Sequence, residues 1–256
     1  MVSGLPQHQV FEAYETYGYP AQGPLVITCE HASKRVPAPL RSADDDKAWL
    51  GTHWGFDIGA RTVARSLIRT SGSFGVFSRF SRLVCDTNRD SEDATFIRKT
   101  VEGYPLSFNR RLDDQEYQRR IKDYHVPFHA AVDATLHAHA MNSGDLLLLS
   151  IHSFTPVWNR RLRPMDIGVL YDPYEPMAQR LAERIRAQGF VVALNQPYSA
   201  KKGLAYSVDR HGRNHHVAYL ELEINQAIIC TPKRALAVAR RLGQALSQFS
   251  VRQTKR

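Results

Sequence analysis

Cysteine is scarce in this chain: Cys29, Cys85 and Cys230 are an odd number at wide spacing. They exclude a disulfide-stapled scaffold and a cysteine-based zinc finger, and they suit a reducing compartment. Long apolar runs are missing too. Runs such as Leu146–Leu149 and Phe190–Leu194 are far short of the roughly 18–20 residues a membrane span needs. Met1–Tyr19 has neither a basic n-region nor an apolar h-region, so no secretory signal is expected there. Neither GxGxxG nor a GxxxxGKS/T loop occurs, which argues against a nucleotide cofactor. A serine nucleophile on a strand-to-helix elbow needs a GxSxG frame, which is also absent. A cytoplasmic protein with no membrane partner is the expectation.

What is present is ordinary globular composition. With 256 residues, 43% of them hydrophobic, the chain can fill one large core and is too apolar for disorder. The net charge of +9 is unevenly placed: residues 176–256 carry 14 Lys and Arg against 4 Asp and Glu. A solvated basic helix face with a basic tail (Arg252, Lys255, Arg256) accounts for this most simply. Steering of an acidic substrate comes next. No nucleic-acid partner is expected, because no zinc finger or RNP-type motif accompanies the charge.

Strand and helix signals alternate. Pro24–Cys29, Gly75–Phe77, Leu83–Cys85, Leu146–Ile151, Asp166–Tyr171, Phe190–Leu194 and Val217–Ile224 read as strands. The fourth of these follows a Gly144–Asp145 turn and is largely apolar, as a central strand is. Asp57–Arg69 has helical spacing, and Asp113–Met141 is a long helical pattern that Pro127 should kink or split. Pro176–Gln188 ends at a Gly189 stop, and Thr231–Pro232 opens a last helix reaching about Phe249. Asp90–Arg111 is polar and Arg-rich, the expected irregular insertion. The alternation predicts a single α/β domain over residues 1–256, a sandwich around a mixed or largely parallel sheet.

Active sites in such sheets lie beyond the carboxyl ends of the strands. The polar residues following the apolar runs are Glu30 and His31; Asp86, Asn88 and Arg89, with Arg82 just before; His152 and Ser153; and Glu221 and Glu223, which share a strand face. Two imidazoles and several carboxylates at strand ends are the donors of a catalytic zinc site, which takes three protein ligands and leaves one position open. Taken singly, each residue also has a plain structural use.

Six segments carry a family resemblance: ITCEHASKRVP (Ile27–Pro37), HWGFDIGA (His53–Ala60), SRLVCDTNR (Ser81–Arg89), SIHSFTP (Ser150–Pro156), DIGVLYD (Asp166–Asp172) and LELEINQ (Leu220–Gln226). In this order they resemble the N-formylglutamate amidohydrolases and, more widely, the zinc carboxypeptidase superfamily. The resemblance implies a three-layer α/β/α sandwich with a mixed sheet. It implies Zn2+ bound through His152, His31 and a carboxylate. The superfamily's His-x-x-Glu spacing fails at Lys34, so Glu30 is the expected third ligand and Asp57 the reserve, either as a ligand, as a partner of one, or as a helix N-cap. His53 is undecided. The implied general base is Glu223, with Asn225 where amidohydrolases tend to have Arg; a frame two residues out would make it Glu221. Arg82, Asn88 and Arg89 match the family's substrate-binding residues, and a guanidinium suits a carboxylate. His211, placed by the resemblance in a polar loop from Tyr206 to Gly212, is the candidate oxyanion stabiliser.

The expected function is therefore zinc-dependent hydrolysis of the amide of a small N-acylated amino acid such as N-formylglutamate. One alternative is a small zinc carboxypeptidase or amidase acting on peptide or cell-wall fragments. The other is a binding protein for an acidic partner on a degenerate scaffold, supported by Lys34 and Asn225.

Overall fold

A computed structural model describes residues 7–140, 146–247 and 249–251. The Gly144–Asp145 turn and the basic tail residues Arg252, Lys255 and Arg256 lie outside them. The sheet strands are β1 (Gln7–Val10), β2 (Tyr14–Gly18), β3 (Leu25–Cys29), β4 (Phe74–Ser78), β5 (Leu147–Phe154), β6 (Ile167–Leu170), β7 (Val192–Leu194) and β8 (Ala218–Asn225). They form one eight-stranded sheet in the order β1-β2-β4-β3-β5-β8-β6-β7. The run from β4 through β3 and β5 to β8 is parallel, β6 is antiparallel to β8, and β1 and β2 form an antiparallel edge. This is a mixed sheet in an α/β/α sandwich.

The two sheet faces follow from the two-residue period of the strands. Leu147, Leu149 and Ile151 on β5, with Leu220, Leu222 and Ile224 on β8, pack under three helices. These are α2 (Ala60–Ser71), α5 (Glu175–Ala187) and α8 (Pro232–Ser247); α1 is the short helix Asp46–Leu50. On the opposite face Val26, Leu148 and Tyr219 meet α4 (Val126–Ala140) and α6 (Tyr206–His215). Moving along that same face toward the strand ends, the apolar residues give way to Thr28, Ser150 and Glu221, then to His152 and Glu223. The register pairs Ser150 with Glu221 and His152 with Glu223. One face of three parallel strands is thus a core at one end and a polar site at the other.

Two sequence expectations are corrected and a third is refined. Leu83–Cys85 is no strand: Val84 N–H donates to the Ser81 carbonyl in a turn, and the apolar side chains are buried under the insertion. The long helical pattern is α3 (Asp114–Arg120), one π-helical stretch (Ile121–His125) and α4, the wide turn falling just before Pro127, which has no N–H to give. Tyr206–Gly212 is helix rather than loop, because Val208 and Gly212 pack on the sheet; a Cβ at Gly212 would sit 2.1 Å from the Tyr219 ring.

The irregular stretch before α3 folds as a cap over the sheet's polar end. Phe96, Ile97, Leu106 and Phe108 give it a small core with Leu83, Val84 and Tyr124. Fully buried Arg120 pins it, donating to the Val84 and Phe108 carbonyls and to Asn109 Oδ1. The remaining short helix is α7 (Gln226–Ile229). Among the described residues no helix is long and apolar enough to cross a membrane.

Candidate active site

Three side chains from three separate segments converge where β3 and β5 end. His152 Nδ1 lies 2.8 Å from Asp57 Oδ2 and 3.1 Å from His31 Nδ1, and His31 Nδ1 lies 3.5 Å from the same Asp57 oxygen. All three residues are buried. Asp57 is fixed by its backbone, whose N–H donates to the His31 carbonyl, and by the Ser153 N–H, which donates to Oδ2. It is not a helix cap, since Gly59 holds the N-cap of α2. At φ 83°, with a Cβ site 2.4 Å from the Ile229 carbonyl, that position requires glycine.

The opposite ring nitrogens are held as well. His31 Nε2 is 2.6 Å from Asp86 Oδ1, and His152 Nε2 is 3.1 Å from Glu30 Oε2 and 3.6 Å from Glu221 Oε2. The His152–Glu30 contact is an ion pair in distance, though not aligned as a hydrogen bond. Glu30 therefore stands behind His152 rather than among the three converging donors. The β3 pleat carries it onto the face of Ser150, whose hydroxyl donates to it, and Asp57 occupies the place the sequence assigned to Glu30.

The donor set fits a divalent cation such as zinc. Two imidazole nitrogens and one carboxylate oxygen point at one spot, and two facing Nδ1 atoms cannot both carry protons toward each other. Carboxylates on the far ring nitrogens are the usual support of ligating histidines. The charge balance agrees: Glu30, Asp57, Asp86, Glu221 and Glu223 are all buried here, with Arg82 between Asp57 and Asp86. Burial resists ionisation of Asp86, yet Arg82 and His31 hold its carboxyl well below the usual range. Burial would lower His152, but Glu221, Asp57 and Glu30 raise it well above an ordinary histidine.

Glu221 and Glu223 separate clearly. Glu221 is turned inward, toward His152 and Asn88 Nδ2 at 3.5 Å, and burial pushes its carboxyl up to about 7. Glu223 lines the cleft, with Oε2 buried and without a hydrogen-bond partner among the described residues. Burial, then Asp57 and Glu221, push it well above the usual carboxylate range. Asn225 caps α7 through Ala227 N–H and donates to the Met165 carbonyl, so its side chain is used structurally. Gly168, paired with Glu223 across β6 and β8, makes room beside that carboxylate: a Cβ there would meet the Gln196 carbonyl at 1.9 Å. That close approach brings in Tyr198, which also lines the cleft.

The cleft is a cavity of about 220 Å³ over His31, Asp57, His152 and Glu223. Its basic wall is Arg82, Arg89 and Arg98; its aromatic wall is Trp54, Phe154, Trp158 and Tyr198. Arg82 Nη2 is 3.0 Å from Asp86 and Nη1 3.5 Å from Asp57. Arg89 donates only to the Asn88 carbonyl among the described contacts, and Arg98 lies over the Trp54 ring. Asn88 lines the cleft while its Oδ1 accepts the Ser207 N–H, tying the cap to α6. His53 also lines the cleft, with Nε2 buried and without a hydrogen-bond partner among the described residues.

His211 does not line the cleft. Its ring is fully buried between α6 and α4, with Nδ1 2.7 Å from Asp133 and Nε2 2.7 Å from His129 Nδ1. The helical course of Tyr206–His215 turns it there. Sequence reasoning missed Arg98, Trp54, Trp158 and Tyr198. Arg98 follows the buried anchors Phe96 and Ile97, but nothing in local spacing says which Arg of the insertion faces inward.

Comparison with known proteins places these residues in a lineage. The family model for N-formylglutamate amidohydrolase matches residues 23–230. A solved gene product of Agrobacterium tumefaciens is similar at 30% identity and TM-score 0.79, over 93% of this chain and 96% of that one. An N-formylglutamate amidohydrolase from Ralstonia eutropha has the same fold at 19% identity and TM-score 0.73, over 93% of this chain and 97% of that one. No curated protein matches. The family model covers most of the sequence, and the segments it spans contain every residue of the cleft just described; the chain belongs to the N-formylglutamate amidohydrolase family and is a hydrolase of amide bonds.

Proposed function

We propose that the protein hydrolyses the amide of an N-formylated amino acid, N-formylglutamate or a close relative, at a zinc ion held by His31, Asp57 and His152. The observation that carries this reading is the meeting of those three donors beside a buried, unpartnered Glu223 carboxylate in an Arg-lined cleft. Zinc in such a set lowers the pKa of water to about 7 and polarises a carbonyl. The other work belongs to side chains. Glu223 accepts the water proton at Oε2 and returns it to the leaving amine. Arg82, held against Asp57 and Asp86 in the cleft wall, supplies the positive charge that stabilises the carbonyl oxygen as it becomes negative. Arg89 and Arg98 hold the amino-acid carboxylates, with Asn88 setting the wall between Arg89 and α6. Asp86 and Glu30 orient the two histidines.

The reading is tested by formate release from N-formyl-L-glutamate and from its α-amide. Losing a charged hydrogen bond costs about 1.5–3 kcal/mol, so kcat/KM for the amide should fall by about 10- to 150-fold. Equal turnover of acid and amide would remove the clamp and the N-formyl amino acid with it. Faster cleavage of C-terminal peptide bonds than of the formyl amide would make the protein a small carboxypeptidase.

A further inference from the structure

A second group of metal donors lies outside the cleft, on the face where α4 meets α6. His211 and His215 are one helical turn apart on α6, so both rings project from one side. Across from them Asp133 of α4 places a single oxygen, Oδ1, 2.7 Å from His211 Nδ1 and 2.8 Å from His215 Nε2. The three donor atoms lie within 4.8 Å of one another. None of the three residues lines the catalytic cleft.

The surroundings suit a bound cation. His211 is fully buried and forms the floor, its far nitrogen fixed by His129 Nδ1 at 2.7 Å. His215 and Asp133 form an open rim, their side chains 21% and 39% exposed, so an ion reaches the floor from solvent.

We propose that Asp133, His211 and His215 form a second metal site, for a divalent transition metal of the zinc, cobalt or nickel class. Two imidazoles and one carboxylate favour these ions over magnesium or calcium, which prefer all-oxygen sets. Open coordination positions at the rim are filled by solvent. The site ties α4 to α6, and α6 carries at its N-terminal end the Ser207 N–H that holds Asn88 in the cleft wall.

The test is zinc per chain, by elemental analysis of tag-free protein equilibrated with buffered zinc at pH 7.5. His215→Ala and Asp133→Asn alter the rim and leave the buried floor in place; circular dichroism checks that both fold. Wild type should hold two zinc ions, and each rim variant one. His152→Ala, which disables the cleft site, should also hold one. Rim variants that bind as much zinc as wild type would overturn the second site, as would a single wild-type zinc that His152→Ala removes. A single zinc lost from the rim variants but kept by His152→Ala would uphold this site and sink the catalytic one.

Discussion

Glu221 and Glu223 are two residues apart on one face of β8, and only their neighbours distinguish them. Glu221 faces His152 and Asn88, where it completes the support of the histidine. Glu223 faces the cleft with a bare oxygen. Glu223→Gln keeps the shape and removes the proton acceptor, so kcat should fall by about 10²–10⁴ with zinc content unchanged. Glu221→Gln should show its larger effect in zinc affinity, about 10- to 100-fold as for other outer partners of metal ligands. Steady-state rates and zinc titrations of the two variants decide it; the reverse pattern would make Glu221 the base. The placement of His31, His152 and Glu223 near strand ends on one polar face was legible, because strand ends show in apolar runs. The choice of Asp57 over Glu30 was not, since that depends on a turn after β3 and on which ring nitrogen of His152 faces forward.

The cap over the cleft is held by α3 and the π-helical stretch after it. Arg120 is completely buried and feeds two backbone carbonyls and Asn109 Oδ1. Arg120→Met should destabilise the protein by about 3–5 kcal/mol, the range for breaking a buried charged network, and chemical denaturation reads this directly. His125, on the same stretch, packs edge-on against Phe96 and touches the Arg89 carbonyl. Burial lowers its pKa from 6.5 to about 4. The unfolded chain therefore takes up that proton first on acidification, and the stability held above pH 6.5 is lost as the pH falls toward 4. The loss is on the order of 3 kcal/mol. Unfolding free energies measured across that window should fall in wild type and slope less in His125→Gln; parallel slopes would exclude His125 as the cause. The helix break near Pro127 was legible because proline acts locally. The π turn was not, nor were β1 and β2, whose place is set by pairing with β4 rather than by their own pattern.

Over the whole molecule, the excess positive charge lies away from the cleft. The excess of Lys and Arg after residue 175 lies largely on outer elements: Arg213 pairs with Asp172 and Asp209, Lys201 with Glu175, and Arg241 caps the Gln188 carbonyl beside the Phe190 ring. The cations lining the cleft, Arg82, Arg89 and Arg98, come from segments that are nearly neutral in sum, where carboxylates of the same site offset them. The alternation of strands and helices made the sandwich legible, because each apolar run had to find a layer to bury it. The site was only half legible, because it is assembled across the sheet by contacts far apart in sequence. In the proposed mechanism, amide hydrolysis depends on a zinc ion held by His31, Asp57 and His152. The direct measurement is the rate of formate release from N-formyl-L-glutamate after chelation and again after zinc is restored. Wild type should lose its activity on chelation and regain it with zinc, while folded His152→Ala should stay inactive at every zinc concentration. Full activity in the chelated enzyme, or recovery of His152→Ala by zinc, would contradict this mechanism.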